Sequence, residues 1–241
     1  MQIIRNERRI KISRNVGRIV PWVGIGILAV GWFASLRGPE WLLAIFVSLP
    51  IGVGLSMVGG FFAERYAGPL AHHEALAKAL KGLDSQHILV NYLLPANHVL
   101  VSPGGCTVLL VKTHAGHVSY SEGRWKLRER AKFFRQLSGQ EGIGRPDAEA
   151  ERQGDLLRVW LGERLPGAAV PVQSAIVFVH PRVQVDADES PVPAFYGKKV
   201  RSWLRGPGRL RPLPDEEYRQ LLEAVQGIRG DDTASSSEDE G

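Results

Sequence analysis

The sequence is short of cysteine, which excludes a fold held together by disulfides. Cys106 is the single cysteine, so no intramolecular disulfide can form and nothing indicates an oxidising compartment. It stands inside an apolar stretch, which predicts a small buried thiol rather than a reactive one. The paired metal-binding motifs CxxC and HExxH are also missing. The sequence therefore offers little on which to build a structural zinc site.

A dense basic region is missing too, although the net charge is +5. Much of the charge lies at the two ends of the chain. Residues 1–18 hold six basic residues and one acidic residue, whereas residues 227–241 hold one basic residue and five acidic ones. The part between them is only mildly basic, which falls short of the basic face typical of nucleic-acid-binding proteins. The polar, acidic composition of residues 227–241 predicts a disordered tail.

Charged residues are absent from two long runs near the N-terminus. Residues 19–36, IVPWVGIGILAVGWFASL, and residues 41–62, WLLAIFVSLPIGVGLSMVGGFF, are separated only by RGPE. Each run is long enough to cross a bilayer. We therefore expect a transmembrane hairpin within residues 19–66, with helices at about 19–36 and 41–63. The glycines in both runs would let the two helices approach closely.

The basic residues before the hairpin predict its orientation. By the positive-inside rule, residues 1–18 form a cytoplasmic N-terminus, and two spans return the rest of the chain to the same side. The expected localisation is thus integral to the cell membrane, with both termini cytoplasmic and residues 19–63 in the lipid bilayer. Two alternatives are a cleaved signal peptide followed by one span, and a buried soluble hairpin. The four-residue gap argues against cleavage, and the lack of polar residues at helical spacing argues against a soluble hairpin.

Residues 67–226 have the composition of a soluble domain, which the expected topology places in the cytoplasm. Helical spacing is found in residues 68–83, 146–165 and 214–228. Short β-branched runs, bounded by glycine and proline, predict strands in HILVNYLL, HVLVS, CTVLLVKT, GHVSYSEGRWKL and VPVQSAIVFVHP. A helix, several strands, a helix, a strand and a final helix indicate a mixed α/β layered domain.

One order of motifs resembles a known family. A helix, then PANHVLVSPGGCTVLLVKTHAGHVSYSEGRWK, a second helix and VPVQSAIVFVHP are similar to the nuclease-related domain, over roughly residues 70–185. The resemblance implies a restriction-endonuclease-like fold, a mixed sheet flanked by helices, here preceded by the two-helix transmembrane hairpin. Its most specific part is the strand, turn, strand and lysine, followed by a hairpin that contains glycine.

The resemblance also implies a catalytic site, and this chain departs from it. The family pattern has an acid on the first helix, an aspartate before the first strand of the hairpin, and Glu-x-Lys on the second strand. Glu74 and Lys112 fit two of these positions, but Asn97 stands at the aspartate and Leu110 at the glutamate. Magnesium requires carboxylate oxygens as ligands, and the bound metal then polarises the phosphate and lowers the pKa of the attacking water. A degenerate site is therefore expected, formed by Glu74, Lys112, Asn97 and Leu110, with no bound metal.

Other acids and histidines allow alternative interpretations, in which a metal is bound by different residues. A migrated metal ligand could be Glu122 or Asp84, although neither has the i, i+2 relation that shares a strand face with Lys112. A zinc site could involve residues in or near the segment THAGHV, namely His114, His117, His98 and Cys106. Turn or surface histidines and solvent-facing acids are the simpler interpretation.

The segment GKKVRSWLRGPGRLR, residues 197–211, contains six basic residues and no acidic one. It could contact anionic lipid or nucleic acid, or it could be a solvated face of the domain. These residues are Lys198, Lys199, Arg201, Arg205, Arg209 and Arg211.

Two functions follow from these observations. The first is a membrane-anchored, catalytically degenerate nuclease-like domain with a binding or scaffolding role and no cofactor. The alternative is an active, membrane-tethered nuclease acting on DNA or RNA, which would use Mg2+, Glu74, Lys112 and an unrecognised acid. The residues at positions 97 and 110 favour the first, since leucine offers no metal ligand and asparagine offers only a neutral oxygen.

Overall fold

The computed structural model describes residues 1–68, 70–128 and 142–238. They form two compact units. The hairpin unit contains residues 7–72, and the sheet unit contains residues 1–6, 73–128 and those from 145 onward.

The hairpin unit consists of two long helices, α1 (Glu7–Ser35) and α2 (Leu42–Tyr66), joined by a short 3-10 turn at Pro39–Trp41. Both are long and apolar enough to cross a membrane. Their large apolar side chains are mostly exposed, with Trp22 at 71% and Phe46 at 74%. A core helix of a soluble protein buries such residues, so the exposure is typical of helices that meet lipid. The first helix starts twelve residues before the uncharged run at Ile19.

Glycines at seven-residue spacing bring α1 and α2 together. Gly17, Gly24 and Gly31 are all buried on one face of α1. A Cβ at Gly24 would lie 2.6 Å from the carbonyl oxygen of Gly52, and one at Gly17 would lie 2.5 Å from the backbone nitrogen of Ala63. Only glycine permits such an approach of two backbones. The expected close contact between the helices is thus present along most of their length.

The sheet unit contains a six-stranded and a three-stranded sheet. The six-stranded sheet has the order β1-β2-β3-β4-β7-β9, and the three-stranded sheet has the order β6-β5-β8. The strands are β1 (Gln2–Arg5), β2 (Ile88–Asn91), β3 (His98–Ser102), β4 (Gly105–Lys112), β5 (Gly116–Ser121), β6 (Arg124–Arg128), β7 (Val172–Phe178), β8 (Val183–Asp186) and β9 (Ala194–Tyr196). The helices are α3 (His72–Ala79), α4 (Pro146–Arg164), α5 (Val200–Arg205) and α6 (Asp215–Glu238).

Helices cover both faces of the large sheet. On one face, Val108 and its neighbours pack with Leu157 of α4 and Leu221 of α6. On the other face, Leu100 and Leu109 pack with residues of α3, Leu76 among them. Both faces are apolar because each face is covered by helices. A mixed α/β fold with a mixed sheet flanked by helices, preceded by two apolar helices, is thereby confirmed.

Strand β1 was not predicted from the sequence. It pairs in parallel with β2, in a register that joins Gln2 to Ile88 and Arg5 to Asn91. Within β1, the side chain of Ile4 is buried, whereas that of Ile3 is exposed, as expected of an edge strand. The N-terminal residues, which lie before the hairpin in the sequence, thus complete a sheet whose other strands all lie after it.

The end of the chain also differs from the expectation. Helix α6 continues to Glu238, whereas composition predicts a disordered tail from residue 227. Once a helix is nucleated, further residues add to it at low cost, so an acidic segment can continue it. Residues 239–241 lie outside the described part of the chain.

Candidate functional site

The end of β4 places Lys112 on the α4 face of the large sheet. Leu110 and Lys112 both lie in β4 and are two residues apart, so they share one strand face. It is the face of Cys106 and Val108, which pack with α4. Both side chains are buried, and Phe178 is the register partner of Lys112 on β7. The lysine therefore ends a strand inside the protein rather than at its surface.

A buried ammonium group needs a partner, and α4 supplies it. Lys112 Nζ donates a hydrogen bond of 2.7 Å to Oε2 of Glu149. The side chains of Lys112 and Glu149 are 7% and 28% exposed, respectively. Within the described ranges, Glu149 is the only ion-pair partner of Lys112. The charge of the lysine is thus neutralised by a residue 37 positions away, which no local pattern in the sequence reveals.

A second acid of α4 lies on its sheet-facing stripe. Asp147 is 6% exposed and precedes Ala150, Leu157 and Leu161 on that stripe. Its Oδ1 atom has no hydrogen-bond partner in the part of the chain that the structure describes. The segment PDAE was visible in the sequence, but acids in a first helical turn ordinarily indicate only a favourable helix dipole. Asp147 and Glu149 stand out because α4 packs against the sheet, and their spacing in the sequence does not reveal this.

Asn97 lies directly before β3, and its backbone contacts α4. Its backbone N–H donates to Oε1 of Gln153 over 3.2 Å, and its carbonyl accepts the N–H of Tyr92 over 2.8 Å. The register pairs Val99 with Val108, and if it were extended by two residues it would set Asn97 opposite Leu110. The asparagine is thus held through its backbone by a helix residue that sequence reasoning missed.

Glu74 is not brought to Lys112. It lies on α3, whose buried Leu76 packs on the opposite face of the sheet from α4. Its side chain is 62% exposed, and its one ion-pair neighbour among the described residues is His73, at 3.9 Å. The helix acid and the strand lysine therefore do not form one constellation.

The histidines and the cysteine considered as zinc ligands do not all lie on one face of the sheet. Cys106 faces α4, whereas His98 lies on the opposite face, with its Nδ1 2.7 Å from Oδ1 of Asn91. Burial raises the pKa of the Cys106 thiol to about 12, which opposes the thiolate that zinc requires. No group of three histidine, cysteine or acidic residues suited to a metal occurs in residues 1–68, 70–128 and 142–238.

The two acids considered as migrated ligands have other partners. Asp84 Oδ1 accepts a hydrogen bond of 2.5 Å from His87 Nδ1, and this bond lowers the pKa of the Asp84 carboxyl. Glu122 lies in the turn between β5 and β6, 3.6 Å from Nζ of Lys126. Both acids thus have contacts that do not involve Lys112.

Part of the basic segment at residues 197–211 has a structural role. Arg201 Nη1 donates to the carbonyl of Lys81 over 2.7 Å, and Arg205 Nη2 donates to the carbonyl of Gly82 over 3.0 Å. These carbonyls follow the last turn of α3, where backbone acceptors lack helical partners. Lys198 lies 6.0 Å from the ring centroid of Tyr196, whereas Lys199, Arg209 and Arg211 are exposed.

Beside this segment lies a cleft of about 460 Å³. Its lining includes Asp84, His87, Thr107, Gln173 and Arg209. Thr107 belongs to the first half of β4, so the cleft lies toward the opposite end of that strand from Lys112. It is therefore a feature separate from the Lys112–Glu149 pair.

Comparison with known proteins identifies one domain. The family model described as the nuclease-related domain matches residues 68–179, which run from before α3 to the end of β7. No curated protein matches the chain. No solved structure matches it either.

Proposed function

Because residues 68–179 form a nuclease-related domain, we propose that this chain is a membrane-anchored protein whose nuclease-like domain has lost metal-dependent catalysis and serves as a binding or scaffolding module. The observation that carries the proposal is that Lys112, which lies two residues after Leu110 on β4, is buried and paired with Glu149. The expected restriction-endonuclease-like site needs an acid at position 110, and the hydrocarbon there cannot bind a metal.

The chemistry of the donor set supports inactivity. A hard divalent cation needs several carboxylate oxygens, and the two positions that the family resemblance assigns to them hold Asn97 and Leu110. A catalytic lysine must also be able to orient water or offset charge on a phosphate. Lys112 instead donates to Glu149, so its charge is already compensated in the folded protein.

One observation favours the alternative of an active nuclease. Asp147 keeps a buried carboxylate oxygen without a hydrogen-bond partner among the described residues, on the same helical turn as Glu149. Asp147 could replace one of the acids missing from β3 and β4 in holding Mg2+. The metal would then supply the Lewis acid that polarises the phosphate.

The pairing of β1 with β2 supports the expected topology. β1 precedes α1 and β2 follows α2, so the two ends of the hairpin must lie on the same side of any membrane that it crosses. The basic residues before the hairpin favour the cytoplasm as that side. Both termini are thus cytoplasmic in this proposal, and the protein is integral to the cell membrane.

A cleavage assay tests the loss of catalysis. It uses the full chain in detergent, because a fragment from residue 68 would lack β1. We expect no cleavage of plasmid DNA or RNA with magnesium or manganese beyond that of a Lys112→Ala variant. Metal-dependent cleavage that disappears in Lys112→Ala would overturn the proposal and establish the alternative.

Restoring the two acids gives a complementary test. The double variant Asn97→Asp/Leu110→Glu should be less stable than the wild type without metal, because two carboxylates are then placed close together. Its unfolding temperature should rise when magnesium or manganese is added, since ligand binding stabilises the folded state. The wild type should show no such rise. Equal responses of the two proteins to metal would contradict the proposed cause of inactivity.

A further inference from the structure

Three basic residues share one exposed side of α1. Lys11, Arg14 and Arg18 are exposed and follow one another at spacings of three and four residues, which places them in one stripe. Continued along the helix, the same stripe reaches Trp22 and Ile25, which are 71% and 50% exposed. We call Lys11, Arg14 and Arg18 the cationic stripe. It lies about 120° around the helix from the buried glycine face, by the 3.6-residue helical repeat.

The cationic stripe is not used for contacts within the described part of the protein. No hydrogen bond or ion pair of Lys11, Arg14 or Arg18 is found among residues 1–68, 70–128 and 142–238. In contrast, Arg201 and Arg205 of the later basic segment donate to backbone carbonyls. The charges of the stripe are therefore available to an external anion.

The depth of the stripe can be read from both helices. Gly17 packs against Ala63, and Glu64 is the first charged residue after the apolar run of α2. Both helices thus change from apolar to charged at the same level, next to Arg18. Helix α1 is about 43 Å long at 1.5 Å per residue, whereas a hydrocarbon core measures about 30 Å. About 13 Å of α1 must therefore lie outside the core, and the stripe spans about 10 Å of that length.

We infer that the cationic stripe binds the anionic headgroups of a phospholipid leaflet. The inference rests on the proposed membrane insertion of the hairpin. Charge and depth both suit this partner, because the phosphate groups of a bilayer lie in the zone just outside the hydrocarbon. The stripe lies directly above side chains that face the same lipids. It would make the protein prefer lipids with net negative charge as its immediate neighbours.

The experiment measures which lipids surround Trp22, one turn from Arg18. The full chain carries Trp32→Phe and Trp41→Phe, so that Trp22 is the only tryptophan in the hairpin. It is placed in nanodiscs of phosphatidylcholine and phosphatidylglycerol, with bromine on the acyl chains of one lipid or the other. Bromine quenches tryptophan fluorescence at short range, so the two quenching curves give the relative association of each lipid.

We expect phosphatidylglycerol to associate more strongly by at least about five-fold, the effect of a single basic residue near an anionic surface. The triple variant Lys11→Gln/Arg14→Gln/Arg18→Gln should reduce the preference to near unity, and 1 M salt should weaken it in the wild type. The charge-conserving variant Lys11→Arg/Arg14→Lys/Arg18→Lys should keep the preference.

A control neutralises three exposed basic residues of the sheet unit, Lys199→Gln/Arg209→Gln/Arg211→Gln, and it should leave the preference unchanged. Equal quenching by the two lipids in the wild type overturns the inference, as does a preference that survives neutralisation of the cationic stripe. Absence of quenching by either lipid refutes the membrane anchor itself, and the inference with it. The failure of the lipid preference is thereby distinguished from the failure of insertion.

Discussion

Removal of the Glu149 carboxylate should destabilise the sheet unit through Lys112. The variant Glu149→Gln removes the ion-pair partner of Lys112, whose side chain is only 7% exposed. Breaking a buried ion pair on one side costs about 3–5 kcal/mol, and the 28% exposure of Glu149 places the expected loss near the lower limit, at about 3 kcal/mol. For a chain of this size the unfolding temperature should fall by roughly 6–12 °C.

The partner variant should be milder. Lys112→Met keeps a long unbranched side chain in the apolar site, and Glu149 can turn toward water because it is partly exposed. We expect a loss of about 1 kcal/mol. The double variant Lys112→Met/Glu149→Gln should then be more stable than Glu149→Gln alone, because it contains no buried unpaired charge. Such recovery is the signature of coupling between the two residues.

The assay is thermal unfolding of the full chain in detergent, followed by tryptophan fluorescence. A matched control on the same helix is Asp155→Asn, which removes an exposed ion pair with Arg158. Exposed pairs contribute about 0–1 kcal/mol, so this variant should differ little from the wild type. The reasoning would be refuted by equal losses in Glu149→Gln and Asp155→Asn, or by a double variant no more stable than Glu149→Gln.

Three further predictions concern other parts of the molecule. Cys106 should resist a disulfide reagent at pH 8 in the folded protein and react after denaturation. A fast reaction of the folded protein would contradict the burial of this thiol. Burial raises the pKa of the thiol to about 12, so only the unfolded thiol ionises just above pH 9. The free energy of unfolding should therefore decrease as the pH rises above about 9. Gly24→Val should separate α1 from α2, which a cross-link between cysteines introduced on the facing helices would report, whereas Gly26→Val should be tolerated because no atom lies within 4 Å of its Cβ position. Ile4→Asp should expose the edge of β2 and increase aggregation, measured by light scattering, whereas Ile3→Asp, at an exposed position of the same strand, should not.

Local patterns in the sequence predicted most of the sheet and its helices. The short β-branched runs and the glycine and proline residues that bound them predicted strands β2 to β7, and helical spacing predicted α3, α4 and α6. These elements are determined by residues close in sequence, which is where pattern reasoning is strongest. The apolar runs likewise predicted two helices, although not that α1 begins at Glu7. No uncharged run extends that far, and the helix continues because its basic residues are good helix formers.

The features that were missed depend on contacts between distant residues. β1 has four residues and becomes a strand only because β2 offers it an edge. Glu149 meets Lys112 because α4 lies across the end of β4, which no local spacing reveals. The sequence could identify Leu110 as an unusual residue beside a lysine. It could not show which residue would compensate the charge of the lysine when its own strand offers no neighbouring acid.

The pairing of β1 with β2 has a consequence for biosynthesis. About 86 residues separate Gln2 from Ile88, and at 5–20 residues per second a ribosome takes roughly 4–17 s to cover them. Throughout that interval β1 has no partner, while α1 and α2 emerge and, in the proposed anchor, enter the membrane. β2 can pair with β1 only if the hairpin has returned the chain to the side of the membrane on which β1 lies. Insertion of both spans and completion of the sheet would thus be linked, and a chain with only one span inserted would keep an open sheet edge that quality-control proteases could recognise.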